Sequence, residues 1–99
     1  MELIFEWDET KADHNQKSHK VSFEEAKTVF NDPLLITFPD EFHSDDEERL
    51  LSIGRSTRSR VILVVHTEQE RGDDAVLIRL ISARKAMASE RKAYEEDQG

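Results

Sequence analysis

Apolar and polar residues alternate along several short stretches of the chain, a pattern typical of strands that bury one face. Leu3 and Phe5 alternate with acidic residues and predict a short edge strand that ends near Trp7. Residues 34–38 predict a second strand, and an acidic loop follows over 39–48. Three further apolar segments, separated by turn-forming residues, predict consecutive antiparallel strands over 49–55, 60–67 and 75–83.

Three other stretches have the features of helices. Asp8 is a suitable N-cap for a first helix that extends to about Ser18. Ser22 and Glu25 have the spacing of a capping box at the start of a second helix. That helix ends at Asp32, because a residue that precedes proline disfavours the α conformation. A third helix is predicted over 87–96.

The predicted order is β-α-α-β-β-β-β-α, which indicates an α+β fold with an antiparallel sheet and the helices packed on one face. The chain has 99 residues and contains no internal repeat or flexible linker. We therefore expect a single domain over residues 1–99.

Charge is distributed unevenly along the chain. The whole chain carries 14 basic and 22 acidic residues, a net charge of −8 that argues against nucleic-acid binding. Residues 1–54 hold five basic against fourteen acidic side chains, but residues 55–92 hold nine against five, a local charge of +4. Seven of those nine are arginines, which suit bidentate phosphate contacts. The second half is thus the candidate anion-binding region, and its candidate RNA contacts are Arg58, Arg84 and Lys85.

The composition also excludes several classes of protein. The chain has no cysteine, which excludes a disulfide scaffold and thiolate metal sites. No apolar run approaches the length of a membrane span, and the first residues do not resemble a signal peptide. We expect a soluble, cytoplasmic protein that does not associate with membranes.

Strand periodicity predicts that four polar side chains lie close together on one face of the sheet. If the apolar residues Val61, Leu63 and Val65 face the helices, then Arg60 and His66 emerge on the opposite face, together with Arg79 of the next strand. In the expected register Glu48 approaches His66 across the hairpin.

These side chains suit metal-independent cleavage of RNA, with no cofactor. Glu48 or His66 would deprotonate a ribose 2′-hydroxyl, and Arg60 and Arg79 would stabilise the phosphorane. Taken singly, a charged residue on a solvent-facing strand is more often just a solvated side chain. Arg79 is the exception, because it interrupts the apolar run 76–81, where a function or a specific ion pair is as good an explanation as solvation.

The other histidines carry a weaker signal. His14 and His19 are five residues apart and do not share a helical face, and His43 lies in the acidic loop, so a metal site is a minor alternative. Asn15 and His19 are instead expected to make buried hydrogen bonds between a helix and a loop.

Four segments carry a resemblance to a known family. They are FEWDETKADHNQKSHKVSFEEAKTVFNDP (5–33), EERLLSIGRSTRSR (47–60), VVHTE (64–68), and IRLISARKA with the following ERKAYE (78–95). On these motifs the chain resembles the BrnT-type toxins of bacterial type II toxin–antitoxin modules. The resemblance implies a RelE-like fold, a ribonuclease activity that stops translation, and a BrnA-like antitoxin that occludes the toxin and supplies operator DNA binding.

Two positions depart from the family pattern. The family usually reads Lys-His-Gly where this chain has Ser18-His19-Lys20, and it usually has threonine at the position of Met87, where a helix begins. Neither departure affects the candidate site residues. The alternative to a toxin is a catalytically silent module of the same fold that only binds an antitoxin-like partner or RNA.

Overall fold

The computed structural model describes residues 1–42 and 47–97. In these two ranges five strands form one sheet in the order β1-β5-β4-β3-β2, and the α+β class is confirmed. The elements are β1 (Glu2–Glu6), α1 (Glu9–His19), α2 (Phe23–Lys27), a 3₁₀ turn (Thr28–Asn31), β2 (Ile36–Pro39), β3 (Leu50–Arg55), β4 (Val61–Arg71), β5 (Ala75–Lys85) and α3 (Ala88–Glu96).

The sheet is mixed, so the expectation of a wholly antiparallel sheet is wrong. β2, β3, β4 and β5 pair antiparallel to one another, as expected. β1 pairs parallel to β5, with Leu3 opposite Val76 and Phe5 opposite Ile78. Alternation of apolar residues indicates a strand but not its direction, and β1 is joined to its neighbour by most of the chain and not by a hairpin.

Helices cover both faces of the sheet, which corrects the prediction that they pack on one face. On the first face, residues of the α1–α2 region pack on β4 and β5; this cluster comprises Val21, Phe23, Ala26, Val29, Ile62, Val64, Ile78, Leu80 and Ala83. On the second face, Tyr94 of α3 packs on Ile53, Val61 and Leu63. β4 is apolar on both sides over residues 61–65, which is the pattern of a strand covered on both faces, and the prediction of a single covered face did not take this signal into account.

A bulge in β5 changes its alternation. Val65 pairs with Ser82 and His66 with Leu80, so Ile81 is an extra residue without an opposite partner. Beyond the bulge the faces are exchanged relative to simple alternation. Arg84 therefore points to the same side of the sheet as Arg79, although the two are five residues apart.

Local sequence signals set the helix ends. Asp8 caps α1, because its Oδ1 accepts from the backbone N–H groups of Thr10 at 2.8 Å and Lys11 at 3.2 Å. Ser22 caps α2 by accepting from the N–H of Glu25 at 3.0 Å. α1 ends at His19, and the next residue, Lys20, caps it with a φ of 61°, in the left-handed conformation.

A buried asparagine fastens α1 to the edge of β5. Asn15 is 4% exposed, and its Nδ2 donates to the carbonyl oxygens of Val21 at 2.8 Å and Ala83 at 2.9 Å. Its Oδ1 accepts from the N–H of Ala83 at 3.1 Å. The expected buried hydrogen bonds are thus confirmed for Asn15, whereas His19 is exposed.

Candidate functional site

The second face of the sheet is uncovered beyond α3. We call this surface the open face; it carries Glu6, Thr67, Gln69, Leu77, Arg79, Ser82 and Arg84. These side chains share a side because paired residues of neighbouring strands point the same way, and Arg79 lies opposite both Thr67 and Glu6.

Arg79 lies in a cleft of the open face with a volume of about 380 Å³. Its side chain is exposed, and no carboxylate of the described residues lies within 4.0 Å of its guanidinium. Arg71 adds a second guanidinium, which donates to Gln69 Oε1 at 3.3 Å. The cleft therefore offers two guanidiniums that can bind an anion, within a lining that also contains three glutamates. Its lining comprises Glu6, Glu47, Thr67, Glu68, Gln69, Arg71, Leu77 and Arg79.

Arg84 borders a second cavity on the same face, near α3, with a volume of about 350 Å³. Its Nη1 and Nη2 donate to Oε1 and Oε2 of Glu90, each at 2.8 Å. Hydrogen bonding to Arg84 lowers the pKa of the Glu90 carboxyl. The guanidinium is thus fixed by α3, while Lys85 next to it is exposed.

Arg60 lies away from the open face, against α2. Its Nε donates to Glu25 Oε2 at 2.9 Å, and its Nη2 donates to Glu25 Oε1 and to the carbonyl of Lys20. The Arg60 hydrogen bond holds the pKa of the buried Glu25 carboxyl below its usual value. Arg58 is exposed in the preceding turn, with its Nη1 3.8 Å from the same carboxylate. The capping-box carboxylate of Glu25 is therefore used to anchor the turn between β3 and β4.

His66 is completely buried on the first face of the sheet. Its Nε2 lies 2.7 Å from Ser52 Oγ, and its ring meets that of Phe30 edge-on at 5.0 Å between centroids. Burial lowers the pKa of the imidazole to about 4. The expectation that Arg60, His66 and Arg79 share an open face is wrong, because Ile62 and Val64, and not Val61 and Leu63, face the α2 region.

Glu48 is exposed in the segment before β3. Leu50, not Glu48, lies opposite His66, so the expected approach of these two residues does not occur. The neighbouring Glu47 lines the cleft of Arg79. His43 lies outside the described residues. Across 1–42 and 47–97 no three histidine, aspartate or glutamate side chains form a group that could hold a metal ion.

Arg71 was missed because residues 68–74 were expected to form a turn. The turn occupies only residues 72–74, where Gly72 has a φ of 68°, and β4 continues to Arg71. The Gly-Asp pair at 72–73 is a known hairpin signal, and it would have extended β4 and placed Arg71 beside the cleft. Gln69 was missed for the same reason. Thr67 was missed because it shares its side of β4 with Val61, Leu63 and Val65, which were expected to face the helices, and Glu6 because β1 was not assigned a partner.

The model of one protein family matches residues 7–90, and its description is "Ribonuclease toxin, BrnT, of type II toxin-antitoxin system". The chain belongs to the BrnT family of ribonuclease toxins. It is also similar to the crystal structure of the Brucella abortus ribonuclease toxin BrnT, with a TM-score of 0.59 and 25% sequence identity over 88% of this chain and 99% of that one. No curated protein matches the chain significantly. No helix in the described part of the chain is long and apolar enough to cross a membrane.

The structure shows what the two departures from the usual BrnT pattern change locally. Lys20 adopts the left-handed conformation that glycine takes without steric cost, which accounts for the glycine usually found there. At the start of α3 the side chain of Met87 makes no capping hydrogen bond, although its backbone N–H donates to Glu90 Oε1 at 2.8 Å. In this BrnT family member, Lys20 therefore carries the steric cost of a left-handed side chain, and α3 begins without a side-chain cap at Met87.

Proposed function

We propose that this toxin is a metal-independent endoribonuclease that cleaves RNA on its open face and thereby inhibits translation. The observation that carries the proposal is the exposed guanidinium of Arg79, set in a cleft with no described carboxylate within 4.0 Å. In a chain with a net charge of −8, an arginine without an acidic partner at the centre of an open sheet is suited to bind a phosphate.

The proposed reaction is transesterification. The 2′-oxygen of a ribose attacks the adjacent phosphorus, the bond to the 5′-oxygen breaks, and the products are a 2′,3′-cyclic phosphate and a free 5′-hydroxyl. Arg79 stabilises the charge on the phosphorane oxygens. One proton leaves the 2′-hydroxyl for a base, and one reaches the departing 5′-oxygen from an acid.

Carboxylates near the cleft are the best candidates for the base. His66, one of the two predicted bases, is enclosed and faces the covered side of the sheet. Glu48, the other, is exposed, and Glu47 beside it lines the cleft. We therefore propose that Glu47 and Glu48 transfer the protons. Arg60 and His66 would have a structural role and stabilise the fold that positions the cleft. Arg58, Arg84 and Lys85 would contact flanking phosphates.

We further propose that the protein has a RelE-like fold, acts in the cytoplasm and is neutralised by a BrnA-like antitoxin that covers the open face and supplies operator DNA binding. Membership of a type II toxin–antitoxin family supports an antitoxin partner. Residues 1–54 carry a net charge of −9, which suits a basic segment of that partner. High salt should therefore weaken the complex, and association that is insensitive to salt would contradict this contact.

Growth and cleavage assays with one variant test the proposal. Expression of the wild type should arrest bacterial growth, and purified protein should cleave RNA in the presence of EDTA. Arg79→Ala should relieve the arrest and lower kcat by roughly 10²–10³, the usual cost of losing one charge-stabilising donor. Arg91→Ala is the matched control, because Arg91 is an exposed arginine of α3 whose partner among residues 1–42 and 47–97 is Glu95, at 3.2 Å.

Three results would contradict the proposal. Full activity of Arg79→Ala would exclude the cleft as the site, and loss of cleavage in EDTA would show a metal requirement. A wild type that neither arrests growth nor cleaves RNA would favour the catalytically silent module instead.

A further inference from the structure

A third cavity lies between α1 and β5, outside the open face. We call it the α1 groove; it has a volume of about 340 Å³ and is lined by Thr10, Lys11, His14, Asn15, His19, Ile81 and Ser82. β1 pairs with β5 only over residues 75–79, so α1, and not a strand, flanks the rest of this edge. The groove exists because the sheet ends here.

The α1 groove adjoins the cavity beside Arg84 on the open face. Ile81 and Ser82 line both this groove and the cavity beside Arg84. They lie at the bulge of β5, where the extra residue interrupts regular pairing. A single extended chain that leaves the open face at Ser82 can therefore enter the α1 groove around the edge of β5.

The charge of the α1 groove distinguishes it from most of the protein surface. The chain contains 22 acidic residues, yet none of the residues that line the groove is acidic. Lys11, His14 and His19 are exposed, and within the described chain their side chains form no hydrogen bond or ion pair. Such a surface suits an anionic ligand.

The floor of the groove suits a nucleobase. Most of its surface is apolar, and Ile81 contributes to it. Both N–H bonds of the Asn15 amide are already used, by Val21 and Ala83, so Asn15 forms part of the wall and has no donor left for a ligand. The hydroxyl of Ser82 has no partner in the described chain and is the polar group at the junction of the two cavities.

We propose that the substrate RNA continues from the open face around the edge of β5 into the α1 groove, where Lys11, His14 and His19 contact a flanking phosphate. This proposal rests on the proposed ribonuclease function. The absence of acidic residues from the lining of the groove favours RNA over an antitoxin segment, since RNA carries a phosphate at every step.

Kinetics with substrates of two lengths test the proposal. The double variant Lys11→Ala, His14→Ala should raise KM about tenfold for a single-stranded oligoribonucleotide that spans both cavities, as expected for one lost charge-assisted contact. Its KM for a dinucleotide and its kcat should stay at the wild-type values. The salt dependence of oligonucleotide binding should also decrease by roughly one unit of slope. Lys17→Ala is the control, because Lys17 is an exposed lysine of α1 that does not line the groove.

Each alternative result has a distinct meaning. An unchanged KM for the long substrate, or an equal increase with Lys17→Ala, would overturn the proposal. So would a double variant that binds RNA normally but loses its antitoxin, because the groove would then be a protein-binding surface. If the wild type cleaves no RNA, the proposed function fails by itself, and fluorescence anisotropy of the same oligonucleotide still tests whether the groove binds it. An unchanged urea midpoint establishes that the variant is folded.

Discussion

Asn15 provides the sharpest test of what holds the helical layer to the sheet. Its amide makes three buried hydrogen bonds, two with the backbone of Ala83 and one with the carbonyl of Val21. The amide donates to the carbonyl of Ala83 and accepts from its N–H, as a residue of a neighbouring strand would do. It does so along the part of β5 with which β1 does not pair. Asn15→Ala leaves all three backbone groups without these partners at a position where the asparagine is 4% exposed.

The expected cost follows from these three bonds. At about 1 kcal/mol of net stability for each bond, Asn15→Ala should lose about 3 kcal/mol. For a domain of this size the melting temperature should fall by roughly 12–24 °C. The measurement is urea unfolding followed by circular dichroism, with m unchanged if only the native state is affected.

Two further variants separate hydrogen bonding from packing. Asn15→Asp has the same size and keeps an acceptor for the N–H of Ala83, but it places a carboxylate against two carbonyl oxygens, so it should be at least as destabilised as Asn15→Ala. Asn31→Ala removes an exposed asparagine and should change stability by less than about 0.5 kcal/mol. A loss below about 1 kcal/mol in Asn15→Ala, or a stable Asn15→Asp, would refute the role assigned to the amide.

Other predictions concern local stability and pH. Lys20→Gly should stabilise the protein by about 1 kcal/mol by relieving a left-handed lysine, and an unchanged melting temperature would contradict this. Met87→Thr should add about 1 kcal/mol by completing the cap of α3, provided that Glu90 is retained; the same gain in Met87→Val would show that capping is not the cause. The pKa of His66 is about 4 in the folded protein and 6.5 ordinarily, so the unfolded chain binds a proton first as pH falls. Stability should thus be full above pH 6.5 and decrease by about 3 kcal/mol towards pH 4, and His66→Gln should flatten the pH 5–6.5 part of this profile.

The elements of the fold were largely predictable from the sequence because their signals are local. Asp8 and Ser22 indicate helix starts because their side chains cap the first backbone N–H groups. The short apolar segments between turn-forming residues correspond to β3, β4 and β5. The direction of β1 was not predictable, since parallel pairing with β5 depends on the path of the intervening chain. The length of the β4–β5 hairpin was underestimated because polar residues after Thr67 were assigned to a turn.

The candidate site was predicted less well because the prediction depends on which residues of β4 face the α1–α2 region. Ile62 and Val64 are as apolar as Val61 and Leu63, so hydrophobicity alone gave no reason to place His66 inside. Arg79 stood out in the sequence because it interrupts an apolar strand, and the structure places it exposed on the open face. The catalytic roles predicted for Arg79 and Glu48 stay predictions, and for Arg60 and His66 we propose a structural role in place of the predicted catalytic one. The partnership of Arg60 with Glu25 spans thirty-five residues and has no local signature.

The bulge at Ile81 decides which side of the sheet Arg84 occupies. In regular alternation, two residues that are five apart point to opposite sides, so β5 without a bulge would turn Arg84 towards the covered side, away from Glu90. Deletion of Ile81 would instead leave a spacing of four, and regular alternation would keep both arginines on the open face. When sequences of the family are compared, a spacing of four and a spacing of five with a bulge therefore present the same pair of arginines, whereas a spacing of five without a bulge does not.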